Sequence, residues 1–187
     1  MSKRIEAKDF QVQDTKFDSP WTLTQRLRIV AWEFSWAVLC RWTPKPLYPW
    51  RNFVLRCFGA ELYGRPFVHQ RARIQIPWNI TIYDRAAIGD GAVLYSLGPI
   101  VIQAEAVIAQ EAYLCTGTHD FSSPSLPLIV FPIEIGERAF IGARAFIMPG
   151  VTIGQDSIVG AMSVVTHDVG EQEIWAGNPA RKLKNRL

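Results

Sequence analysis

The chain has 187 residues, 49% of them apolar, with three cysteines, three histidines and a formal charge of +3. That is enough for one domain with a full core and excludes a disordered polymer; the mild basicity, with no dense Lys/Arg run, also argues against nucleic acid as a partner. Cys40, Cys57 and Cys115 are odd in number and widely spaced, which predicts three buried, reduced thiols in a cytoplasmic protein rather than a disulfide framework.

Residues 1 to about 20 are polar and predict an extended arm, and the opening MSKRIEAKDFQVQD lacks the apolar centre of a signal peptide. Leu23, Leu27, Val30, Phe34, Ala37 and Val38 then recur at three- and four-residue steps, which predicts an amphipathic helix over 22–42, ended by Pro44 and Pro46. A second short helix is predicted over 49–58, with Gly59 as its stop. The most apolar early run, 29–40, is too short to span a bilayer and carries Glu33, so no transmembrane helix is predicted.

From Leu62 onward the period changes. An aliphatic residue returns at every sixth position, most cleanly at Ile135, Ile141, Ile147, Ile153, Val159 and Val165, which is the period of neither a helix nor a flat strand. Ala139, Ala145, Val151, Ser157 and Ser163 follow four positions later, and Gly136, Gly142, Gly154 and Gly160 come directly after four of the aliphatics. This hexad describes a parallel β-helix: the aliphatic fills the interior, the small residue lets the chain turn near the axis, and three hexads close one coil. Coils are predicted over 62–79, 82–99, 102–119, 135–152 and 153–170, with two extra residues forming corner bulges after the first and second.

One coil cannot bury its apolar side alone, so the predicted helices have an evident use as a cap on the open end. A second use is also open, because Trp21, Trp32, Trp36, Trp42 and Trp50 lie among Arg26, Arg28, Arg41, Lys45, Arg51 and Arg56, a composition suited to a membrane surface. The hexads stop over 120–134, a loop with three prolines inside an otherwise regular repeat. The expected organisation is an arm and capping helices over 1–60, a β-helix over 61–170 with 120–134 inserted, and a closing turn and basic tail over 171–187.

The histidines are His69, His119 and His167. His119 ends the third coil in TGTHD, beside the loop, where a neutral imidazole could take a proton from a hydroxyl; a structural role is equally open on the residues alone. Asp120 beside it could orient the ring or cap the loop.

The run IAQEAYLCTGTHD, the loop, PIEIGERAFIGARAFIMPGVTIG and AGNPAR resemble the hexapeptide-repeat sugar O-acetyltransferases of the serine and galactoside acetyltransferase superfamily, and PWNITIYDRAAIGDGAVLYSLGPI extends the resemblance to the colanic-acid and exopolysaccharide biosynthesis branch. The resemblance covers about 62–182. It implies an all-β fold, a left-handed parallel β-helix with an N-terminal helical segment, and transfer of acetyl from acetyl-CoA to a sugar hydroxyl of a surface polysaccharide or its lipid-linked precursor. It further implies a homotrimer with acetyl-CoA in the cleft between subunits, His119 as general base with Asp120 beside it, and no metal. Tyr95 and Ser96 stand where some relatives place an acceptor contact. Gly142, Ala143, Gly160, Ala161, Thr166, His167, Arg181 and Lys184 match positions that bind coenzyme A, although the family commonly has lysine in place of His167 and proline in place of Asp120. Two other classes share the architecture. A zinc-dependent carbonic anhydrase type would need the three histidines to converge, and a scaffold would need no chemistry at all.

Overall fold

Hexads fold as short strands because each aliphatic points inward and the next inward residue lies a third of a coil away. In the computed structural model, which describes residues 13 and 19–186, these strands stack into three parallel sheets around one apolar column. Face one contains Glu61–Leu62, Ile80–Ile82, Ile100–Ile102, Ile133–Ile135 and Thr152–Ile153. Face two contains Phe67–Val68, Ala87–Ile88, Val107–Ile108, Phe140–Ile141 and Ile158–Val159, and face three Arg73–Ile74, Val93–Tyr95, Tyr113–Cys115, Phe146–Ile147 and Val164–Val165. The predicted register holds coil by coil: Ile141 lies opposite Ile108 and Val159, and Ile135 opposite Ile102 and Ile153. The extra residues of the first two coils lengthen the face-one strands, adding Ile80 and Ile100 as second inward aliphatics, matched by Ile133. The first includes a 3₁₀ turn at Pro77–Asn79 rather than a bulge.

The corners repeat one backbone conformation. Three residues after the inward aliphatic, Arg85, Glu105, Glu111, Arg138, Arg144, Asp156 and Met162 all have φ between 55 and 59°. That conformation costs an L-residue on the order of 1 kcal/mol, and its repetition accompanies a left-handed coil, opposite to the usual crossover. Ion pairs join neighbouring coils at these corners: Arg71 with Asp90, Arg85 with Glu105, Arg144 with Glu111, and Arg138 with Asp156. Glycine follows the aliphatic where coils approach most closely, and a Cβ on Gly142 would sit 2.5 Å from the Ala161 nitrogen of the next coil.

Helix α1, Leu23–Leu39, begins at Thr22, whose hydroxyl accepts from the Gln25 N–H while the Gln25 side chain accepts from the Thr22 N–H. Helix α2, Tyr48–Cys57, ends before Gly59 at φ +91°. Both helices cover the first coil. Trp32 and Trp36 of α1 are buried, and the Trp32 indole donates to the Ile74 carbonyl at 2.8 Å. Arg51 of α2 is also fully buried and donates to the carbonyls of Val68, Pro44 and Lys45 and to the Thr43 hydroxyl. It thereby clips the interhelix turn to the coil, and its burial lowers its pKa.

Three expectations need correction. The stripe from Leu23 to Val38 is the outward side of α1; the side carrying Trp32, Trp36 and Cys40 faces the core, because two indoles cover more apolar cross-section and Trp32 has a carbonyl to satisfy its N–H. Cys57 is exposed and Cys115 half-buried; only Cys40 is buried, where desolvation pushes its thiol up to about 11. The tail is no loose basic segment, since Glu173–Gly177 extends face two beside Ile158–Val159 and turns back antiparallel as Ala180–Asn185. The predicted N-terminal arm lies outside the described residues, save Gln13, Ser19 and Pro20. Among the described residues no helix is long and apolar enough to cross a membrane.

Candidate active site

The third coil does not turn directly into the fourth. After Cys115 the chain leaves face three, and Gly117–His119 runs out antiparallel to Leu128–Val130, with His119 opposite Leu128. The predicted loop is thus half hairpin, returning to face one at Ile133. Its base is tied by the buried Thr116, whose hydroxyl donates to the Tyr95 carbonyl and accepts from the Gly98 N–H. Its tip is tied by Asp120, whose Oδ1 accepts from the Ser122 N–H at 2.9 Å and the Ser122 hydroxyl at 2.6 Å.

These ties place the Leu126 carbonyl 2.7 Å from His119 Nδ1. A carbonyl only accepts, so Nδ1 carries a proton, and in the neutral form of this exposed ring the lone pair is then on Nε2. This is the tautomer a base needs. The orienting group is Leu126, however, not Asp120. The Asp120 carboxylate is spent on the loop turn, and its hydrogen bonds to Ser122 hold its pKa below the usual value. Gln13 also reaches this hairpin, its side-chain oxygen accepting from the Leu128 N–H at 3.2 Å. Neither Leu126 nor Gln13 stands out in the sequence, since one acts through its backbone and the other lies far away in the chain.

Ser96 is fully buried, its hydroxyl donating to the Ile76 carbonyl and accepting from the Ile76 N–H. It joins two coils and offers nothing to an acceptor, contrary to expectation. Tyr95 is half-buried on the outer side of face three with its ring 6.1 Å from that of Tyr113, which stacks on Phe146 at 5.0 Å. Burial raises both tyrosine pKa values.

The positions matched to coenzyme A fall into separate groups. Gly142, Ala143, Gly160 and Ala161 form the corner between faces two and three in the fourth and fifth coils. Thr166 and His167 lie at the corner between faces three and one, two coils on from the His119 hairpin, and the Thr166 hydroxyl meets His167 Nδ1 at 2.8 Å. Arg181 and Lys184 are exposed on the closing hairpin beside face two. His119 and the Gly142 group therefore sit at opposite edges of face three. Among the described residues, no three His, Cys, Asp or Glu side chains converge as metal ligands. His69 is buried against Asp90 at 3.3 Å in the second-face corner, and desolvation lowers its pKa.

A groove of about 750 Å³ runs between α1 and face three. Trp32, Trp36 and Arg41 wall one side, Arg73, Tyr95 and Tyr113 the other. The Tyr95 ring also borders Gly117, the first residue of the strand that carries His119.

The stacked hexads, broken once by the hairpin that carries His119, define the fold class, and known acetyltransferases share it. The model of the bacterial transferase hexapeptide (six repeats) matches residues 132–167. WcaF of Escherichia coli K12, whose name provisionally makes it a colanic acid biosynthesis acetyltransferase, is 38% identical over 161 residues, 86% of this chain and 88% of WcaF. The chain belongs to the hexapeptide-repeat acetyltransferases. A hexapeptide-repeat acetyltransferase of Vibrio cholerae, solved with acetyl coenzyme A, shares the fold with a TM-score of 0.81 at 21% identity, over 98% of this chain and 100% of that one. A galactoside acetyltransferase solved with coenzyme A does so with a TM-score of 0.76 at 22% identity, over 90% of this chain and 86% of that one.

Proposed function

We propose that the protein moves an acetyl group from acetyl-CoA to a carbohydrate hydroxyl, with His119 as general base. The observation carrying this reading is the 2.7 Å contact between His119 Nδ1 and the Leu126 carbonyl. The acceptor oxygen attacks the thioester carbon as Nε2 takes its proton; the tetrahedral intermediate then collapses, the carbon–sulfur bond breaks, and the imidazolium returns the proton to the departing sulfur.

The working unit is a homotrimer. Face one is mostly polar outside, with Glu61, Thr81, Glu134 and Thr152 against one aliphatic, Val101, whereas face two presents Phe67, Val107, Phe140 and Ile158 and face three, beyond Arg73, presents Val93, Tyr113, Phe146 and Val164. Two apolar sides and one wet side suit a three-fold ring, in which each copy meets one neighbour by face two and the other by face three. A cleft between copies would also explain why the Gly142 group and His119 lie at opposite edges of one face. Gly142, Ala143, Gly160 and Ala161 would line the pantetheine arm, with Thr166 and His167 further along it and Arg181 and Lys184 toward the phosphates. Asp120 holds the loop that holds His119.

The groove under α1 would receive the acceptor. Its half-buried tyrosines suit sugar rings, and Arg41 and Arg73, which have no ion-pair partner among the described residues, suit a phosphate such as a lipid-linked glycan carries. Such an acceptor places the protein at the cytoplasmic face of a membrane. The test is mass spectrometry of surface glycans and their lipid-linked precursors after incubation with labelled acetyl-CoA. One ester-linked acetyl per acceptor is expected, and transfer only to amines, or to no glycan at all, would overturn the reading.

A further inference from the structure

Helix α1 is apolar on two sides, and only one is used. Leu23, Leu27, Val30 and Phe34 are 62–71% exposed and Val38 48%, forming one unbroken line down 17 residues, about 25 Å, that nothing covers among the described residues. The line continues past the helix end. The Trp42 indole donates to the Val38 carbonyl at 2.6 Å, the Trp50 indole to the Leu39 carbonyl at 2.9 Å, and Trp50 stacks on Phe53 at 5.7 Å. These three rings are 42–72% exposed. Their N–H groups are satisfied by the protein while their faces stay outside.

Charge is segregated in the same way. Residues 19–60 carry six Lys or Arg against a single acid, Glu33, whereas residues 61–187 carry ten against twelve. Arg51 is buried and Arg28 is committed to the Phe58 carbonyl and the Trp78 ring. Exposed cations remain at both ends of the apolar line: Arg26, which donates through Nε to the Trp21 carbonyl at 3.2 Å, lies one turn from Leu23 and Val30, and Arg41 one turn beyond Val38.

We infer that this face of α1, with Trp42, Trp50 and Phe53, docks the protein on an anionic lipid bilayer. An apolar helix side ending in tryptophans and flanked by arginines matches the interface between acyl chains and negative headgroups. Helix-to-helix contact with a second copy would instead oppose two strongly positive units. The other side of α1 walls the groove, through Trp32, Trp36 and Arg41, so docking would hold the groove one helix diameter, ~10 Å, from the bilayer surface. This last link, delivery of a lipid-linked acceptor, rests on the acetyltransferase reading, whereas the lipid contact itself does not.

The experiment is flotation with phosphatidylglycerol-rich vesicles and, in parallel, with phosphatidylcholine vesicles. The wild type should float with the first, and binding should weaken with added salt. Leu27→Glu with Phe34→Glu should lower the bound fraction at least roughly tenfold. Arg26→Glu with Arg41→Glu should do so on anionic vesicles alone. Thermal melting and acetyl transfer to a soluble acceptor by the Leu27/Phe34 variant should stay as in the wild type, so that loss of docking is read apart from loss of activity. A wild type that floats with neither vesicle, or a double-Glu variant that floats undiminished, would overturn the inference. So would a wild type that does not float and a double-Glu variant of lower mass in light scattering, since the face would then join copies of the chain.

Discussion

The β-helix and its helical cap obey the same physical rule, burial of apolar surface, yet only the first reveals its inside from sequence. Each hexad restates the position of the interior: Ile82, Ile102, Ile135 and Ile153 occupy one stacked row, so a wrong register would have to be wrong four times. Helix α1 states its pattern once. Its two apolar sides compete, and the periodic line from Leu23 to Val38 loses to Trp32, Trp36 and Cys40. Repetition makes a pattern unambiguous, whereas a single amphipathic helix needs to be told what it packs against.

The sharpest way to break this comparison lies within α1. Trp32→Ala should cost about 3–5 kcal/mol of stability, because it removes a buried ring and orphans the Ile74 carbonyl. Phe34→Ala, two residues away, should stay within about 0.5 kcal/mol. A larger loss from Phe34→Ala than from Trp32→Ala would mean that the helix faces are reversed. In the β-helix, Ile141→Ala should cost about 2–5 kcal/mol, since Ile141 is fully buried between Ile108 and Val159. A wild-type midpoint in urea would contradict the register.

Acid should act on the corners before the column. The Arg138 guanidinium holds Asp156 down to about 2, from an ordinary 3.8. The unfolded chain therefore binds this proton first as pH falls, so the pair's contribution is whole above roughly pH 5 and drains away toward pH 2. Asp90 and Glu111, lowered by hydrogen bonds from Arg71 and Arg144, act in the same direction. Arg138→Gln should flatten part of this acid limb in melts taken across pH, and an unchanged limb would show that the corner pairs are spectators. The smallest effect is conformational. Met162 is 70% exposed at φ +58°, so Met162→Val should cost about 1 kcal/mol from backbone strain alone and Met162→Asn close to nothing. Equal stability of the two variants would mean that this corner relaxes.

Five coils, both helices and the interruption after His119 were legible because each follows from spacing, capping or proline. The candidate site was legible only as a list of residues. Ser96 falls just after a strand, where sequence cannot separate an exposed corner from a hydroxyl turned inward onto Ile76. Asp120 reads as a natural partner for the histidine next to it, but the hairpin sends its carboxylate to Ser122 and brings up a backbone carbonyl from seven residues away. A main-chain oxygen has no letter in the sequence. The last strands were hidden for a different reason: Glu173–Gly177 and Ala180–Asn185 depart from the hexad and are recognisable only once face two offers them an edge.

Replacing His119 tests the central claim most directly, in steady-state turnover on a verified acceptor. The account predicts that His119→Ala lowers turnover by roughly 10²- to 10⁴-fold while coenzyme A still binds, and that His69→Ala and His167→Ala keep most of their activity. Wild-type turnover by His119→Ala would contradict it.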